Sequence, residues 1–263
     1  MQLHGLLDAL PLWALFLATL VVGLLSLEGG FWVGKRWRQR SEQEQEIVVR
    51  GLVGGMLGLE AFMLAFTFGA AAAHFDARRQ AVLDEANAIR TAYLRADLLP
   101  EPHRAQIRNL LREYVDVRLE EVRSGNLEQA ISRGEAIQNR LWSLAAAARE
   151  KTSNPIFDGY LSRSLNELIA IHGKRVVVYR EFSIPALVWV ALYIVSALAM
   201  ASVGFHAGLA CESRPLVVPA FVLIYSVVMM LVADLDSPRA GVFRLSERAL
   251  VDVRKMMGAS NGY

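Results

Sequence analysis

The sequence predicts an all-α membrane protein with four transmembrane helices and a helical soluble domain between the second and the third. Three observations carry this. Four stretches are apolar over a length that crosses a hydrocarbon core of roughly 30 Å at about 1.5 Å per helical residue. The hydrophobic fraction, 54%, lies above the roughly 45–50% of soluble domains. Between the second and third stretches the apolar residues recur at helical steps of three and four, with no strand alternation.

The first span is Leu10–Val33. Trp13 and Trp32 stand near its two ends, where aromatic belts form at the interfaces, and Glu28 lies close enough to an end to reach headgroups. No Lys or Arg precedes the apolar run and no small-residue cleavage site follows it, so the span is expected to be retained rather than removed as a signal peptide. A charged connector, KRWRQRSEQEQEIVVR, leads to the second span.

The second span, Gly51–Ala73, has one charge, Glu60, and no proline. It continues without a breaker into the polar run from His74, giving one rod of about 45 residues that leaves the bilayer for water. Gly51/Gly55 and Gly54/Gly58 are small-xxx-small pairs, which predict close approach of helix backbones. Gly58, Phe62 and Phe66 are spaced by four and form one stripe. Glu60 is two residues, about 200°, from Phe62 and faces away from it.

From His74 to Ser183 the chain reads as a soluble helical body. Val82, Ala86, Ile89 and Tyr93 continue the rod until Pro100 and Pro102 break it. Ile107, Leu111, Tyr114 and Arg118 mark the next helix, ended by Ser124-Gly125-Asn126. Leu127–Lys151 and Ile156–Glu181 are two more, separated by Ser153-Asn154-Pro155. The third span opens at Ile184-Pro185, where a first turn tolerates proline, and runs to Phe205; the fourth is Leu216–Ala233. The expected domains are therefore 1–73 (two spans), 74–183 (body), 184–234 (two spans) and a polar tail, 235–263.

Four spans place both termini and the body on one side. The connector holds Lys35, Arg36, Arg38, Arg40 and Arg50; the tail, opposite, holds Arg239, Arg244, Arg248, Arg254 and Lys255. The positive-inside rule therefore leaves both orientations open.

The net charge of +2 gives no case for nucleic acid. Cys211, alone, excludes an internal disulfide and a thiolate metal cluster. There is no nucleophile elbow, phosphate loop or zinc-protease motif, so no enzyme is expected. His4, His74, His103, His172 and His206 are scattered; His172 with Glu167 or Asp158 is a metal fragment at most and reads better as a helix-surface or packing histidine, so no metal or other cofactor is expected. Glu60 inside a span is either an ion or proton site or a pairing residue that holds the bundle together. Phe62 and Phe66 either face lipid or, in a ring of subunits, stack into a constriction. Asp234 and Asp236 read either as a weak cation site or, since two carboxylates are few for Ca²⁺, as residues with a helix-terminus or interfacial role.

FMLAFTFGAAAAHFDARRQAVLDEANAIRTAYLRADLLP resembles bacterial membrane proteins of the bestrophin-like family, as do LNELIAIHGKR before the third span and DLDSPRAGVFRLS in the tail. The Pro-Phe usual in that ending reads Pro238-Arg239 here. The resemblance covers residues 45–250. It implies a pentameric ion channel whose second helix lines the pore. Its neck falls on Phe66, Phe62 and Gly58, with Gly58 departing from the bulky residue expected. An aromatic-x-x-x-arginine element follows at Phe75 and Arg79. The acidic calcium clasp of animal bestrophins is missing, so calcium gating is not implied. The resemblance also implies a multi-pass inner-membrane protein with a cytosolic body. The KRWRQR connector then stands at the outer mouth, where it attracts anions such as chloride. Its partners would be the bilayer, further copies of itself and permeant ions. The alternative from the residues themselves is a non-conducting membrane scaffold or relay.

Overall fold

The structure, a computed structural model, describes residues 11–38, 45–124, 126–151, 155–210, 217–237 and 248–259. Its elements are α1 (Leu12–Arg38), α2 (Gln45–Ala96), α3 (His103–Ser124), α4 (Leu127–Lys151), α5 (Pro155–Glu181), α6 (Ala186–Ala210), α7 (Val217–Asp236) and α8 (Arg248–Ala259). Among the described residues there is no strand. Four helical stretches are long and apolar enough to cross a membrane, and they include α1, α2, α6 and α7.

The expected helices are present, with shifted ends. α1 continues to Arg38 rather than stopping at Val33, because the charged residues after Trp32 are good helix formers and nothing breaks the chain. α2 begins at Gln45 in the connector, so the rod is 52 residues long. It ends before the Pro100–Pro102 pair, as the missing amides require. Asn126 caps α4: its side-chain oxygen accepts the Gln129 amide at 3.3 Å.

The chain divides into two compact units. The first holds α1, α2 as far as Phe75, and Ser183 onward through α6 and α7. Its core is Leu27, Ala71, Trp189, Leu192, Met200, Val222, Met229 and Val232. Large apolar side chains such as Leu25 and Leu187 point outward, as spans in hydrocarbon do, and Trp13 and Trp32 are exposed at the two ends of α1.

Close helix packing in this unit falls on glycines other than those expected. A Cβ on Gly30 of α1 would lie 1.9 Å from the Ala201 carbonyl oxygen of α6, and one on Gly204 would lie 2.0 Å from that of Leu27. Gly34 and Gly208 repeat the contact one turn on. Gly30-x-x-x-Gly34 and Gly204-x-x-x-Gly208 thus bring two backbones together where any side chain would intervene. Around Gly51, Gly54, Gly55 and Gly58, a Cβ would meet nothing within 4 Å. Among the described residues of one chain, nothing packs against those α2 glycines.

The second unit holds Asp76–Phe182 and α8. Ile89, Tyr93, Ile107, Leu111, Leu141, Leu161, Leu165 and Leu168 fill its core. The tail is not merely polar: Leu250, Val253 and Met257 of α8 join that core, and the Tyr93 hydroxyl donates to the Met257 carbonyl at 3.1 Å. The amphipathic spacing in the tail is thus a packing helix of the body.

Candidate functional site

α2 presents a bare face to its surroundings. In the membrane unit Leu59, Phe62, Phe66, Gly69 and Ala73 are exposed, at alternating steps of three and four. Phe62 is 68% exposed and Phe66 72%, among the most exposed large side chains in the chain. Gly58 is exposed on the same side. The three neck residues therefore share one uncovered face. Phe75 is half-buried and packs onto the membrane core, whereas Arg79, in the other unit, is exposed. The basic mouth residues Lys35, Arg36 and Arg38 are exposed; Arg40 lies outside the described residues.

Glu60 sits on the opposite side of the same helix and is 3% exposed. Ser196 of α6 lies beside it, yet neither carboxyl oxygen makes a hydrogen bond of ordinary geometry. Ser196, itself buried, donates to the Leu192 carbonyl at 2.7 Å and shares a hydrogen bond with the buried Tyr225 hydroxyl of α7. Thr19 of α1 and Tyr193 of α6 make a second hydroxyl pair at 2.8 Å. No basic side chain pairs with Glu60, so the pairing reading of this residue has no charged partner among the described residues.

Asp234 and Asp236 are both buried. The Ile184 amide donates to both Asp236 oxygens, at 3.0 and 3.1 Å, and His74 Nδ1 stands 3.2 Å from one of them. Asp236 therefore ties the end of α7 to the residues that open α6 and to α2. Among the described residues no cluster of three or more His, Cys, Asp or Glu is arranged to hold a metal ion.

The body carries a buried ionic network that the sequence reading did not single out. Arg118 donates to Glu85 Oε2 at 2.9 Å and also to Glu121; Arg175 donates to Glu121 at 3.1 Å and lies 3.4 Å from Glu85. Tyr114 donates to Glu85 Oε1 at 2.7 Å and meets His172 Nδ1 at 2.9 Å. Burial alone would push the Glu85 carboxyl up; the guanidinium groups of Arg118 and Arg175, helped by Tyr114 and His172, hold it well below the usual carboxylate range. Burial and the neighbouring Glu85 charge push the Tyr114 hydroxyl well up. His172 is thus a packing histidine turned toward Tyr114, while Glu167 is exposed and the Asp158 side chain lies outside the described residues. One signal was legible: Tyr114 and Arg118 fall on the apolar stripe of α3, and an arginine on a core-facing stripe announces a buried partner.

Four helices able to cross a bilayer, with a helical body attached, define a multi-pass α-helical membrane protein. The Bestrophin-like domain matches residues 12–250, and the chain belongs to the bestrophin-like family. Solved structures share the fold. A point variant of a bacterial bestrophin homolog from Klebsiella pneumoniae aligns with TM-score 0.65 at 14% identity, covering 96% of this chain and 99% of that one. A second variant of the Klebsiella homolog gives 0.62 at 15% identity, with 95% and 98% covered. A crystal structure of a membrane protein variant gives 0.66 at 13% identity, with 96% and 99% covered. A search of curated proteins gave no match.

Proposed function

We propose that the chain assembles into a homopentameric ion channel, conducting anions, with a constriction built from Phe62 and Phe66 of α2. The observation that carries this is the uncovered face holding the two rings, 68% and 72% exposed. Copies of that face around a common axis would stack apolar rings, which narrow a pore and gate it by dewetting. Gly58 at the next position toward the connector leaves that ring open rather than tight. Phe75 and Arg79 would follow the neck.

Anions are favoured by the positive edges of the phenylalanine rings and by the exposed Lys35, Arg36 and Arg38, which raise the local anion concentration. The body is assigned to the cytoplasm and the spans to the inner membrane. Nothing in this reading requires a cofactor or an enzymatic step, and a cation at Asp234 and Asp236 is not needed for conduction.

The test is current through planar bilayers holding the purified protein. Phe62→Ala with Phe66→Ala should raise the conductance several-fold. Equal silence from the wild type and the double variant contradicts the channel and leaves a non-conducting scaffold.

A further inference from the structure

We propose that Glu60 is a proton-binding site inside the membrane unit, and that its acid form fastens α2 to α6 and α7 through Ser196. The Ser196 hydroxyl has one proton and two lone pairs. Its proton goes to the Leu192 carbonyl at 2.7 Å. Its bond with Tyr225 therefore uses the Tyr225 proton. Both hydroxyl protons are then committed, and Glu60, 3% exposed, is left with two oxygens and no donor.

An ionised carboxylate in that position is satisfied only by drawing the Ser196 or Tyr225 proton away from its present acceptor. Protonated, Glu60 donates to the remaining lone pair of Ser196, and every proton and lone pair of the Ser196 hydroxyl is used. A metal cation suits the place less well: Glu60, Ser196 and Tyr225 supply few oxygens, and the Ser196 hydroxyl is already bonded twice. A proton needs a single acceptor.

Among the described residues, the groups facing Glu60 include no fixed charge. From α6 they are Ser196 and, one step further, Tyr193; from α7, Tyr225. Thr19 of α1 holds Tyr193. Loss of the proton forces the carboxylate to compete for the Ser196 or Tyr225 hydroxyl proton, which breaks the link between α6 and α7 or loosens α2. Since α2 carries Phe62 and Phe66 on its other side, the site regulates the constriction; this last step rests on the channel reading.

The experiment uses full-length protein in nanodiscs and two readouts. Infrared spectroscopy at acid pH should show a buried carboxylic-acid carbonyl band that is lost in E60Q and fades as the pH is raised. Ser196→Ala should keep the band but shift it. E60Q, a neutral donor of the same shape, should keep the wild-type Tm at acid pH and lose the wild-type decline as pH rises through and above the ordinary carboxylate range. An identical band in E60Q, or a wild-type Tm that rises with sodium and no longer does so in E60Q, overturns the proton assignment. In conducting bilayers the pH dependence of the current should vanish in E60Q. A silent bilayer with the band present removes the channel reading and leaves the proton site standing.

Discussion

Gly30 of α1 and Ala201 of α6 are so close that a single added carbon on Gly30 would lie 1.9 Å from the Ala201 carbonyl oxygen. The obstacle is backbone, so no side-chain rotation relieves it. Gly30→Ala should separate the two helices and lower stability by about 1–3 kcal/mol or more. Gly54→Ala, where nothing lies within 4 Å, should leave subunit stability nearly unchanged. Thermal unfolding in detergent compares the two; equal losses would refute the pairing of α1 with α6.

Glu85 and Arg118 make the second prediction. Removing one partner from a fully buried ionic network costs about 3–5 kcal/mol. Arg118→Met should unfold the body at markedly lower denaturant, and replacing Arg118, Glu85 and their partners together by apolar residues should cost less than the single change. Circular dichroism against denaturant measures both.

The same network sets a pH response. Glu85 titrates lower folded than unfolded, so its stabilisation is fully present above the ordinary value of 4.5 and is lost as pH falls below it. Wild-type Tm should fall on acidification through that range, and Glu85→Gln should start lower and fall less. A steeper acid decline in the variant would reverse the sign assigned here.

Asp236 accepts the buried Ile184 amide on both of its oxygens. Asp236→Ala leaves that amide without an acceptor, at a cost of about 1–3 kcal/mol. Asp236→Asn keeps one acceptor and should recover part of the loss. Hydrogen exchange at the start of α6 should rise in the alanine variant first.

Much of the architecture was legible because membrane spans are written in composition: the four apolar runs and the proline pair after α2 needed no tertiary information. The stripe of Gly58, Phe62 and Phe66 followed from spacing by four, and its exposure agrees with Glu60 being buried 200° away. What spacing cannot tell is which of two glycine motifs finds a partner. Within one chain the close contacts fall on Gly30, Gly34, Gly204 and Gly208, because these stand opposite one another on different helices, whereas Gly51–Gly58 meets nothing within 4 Å among the described residues. The ionic network was hidden for a similar reason: Glu85, Arg118 and Arg175 come from three helices, and sequence shows only the stripe each belongs to. Ser196 and Tyr225 read as ordinary span residues until the fold sets them beside Glu60.

On the proposed reading, the bare face of α2 lines a water-filled path shared by several 29.1-kDa chains. Its most direct test is thiol modification during current recording, in a Cys211→Ser background. Phe66→Cys should be blocked rapidly by a charged, membrane-impermeant reagent, while Leu187→Cys, exposed on α6, should not respond. Block at neither position, or at Leu187→Cys alone, would place the phenylalanine face in lipid and contradict the account.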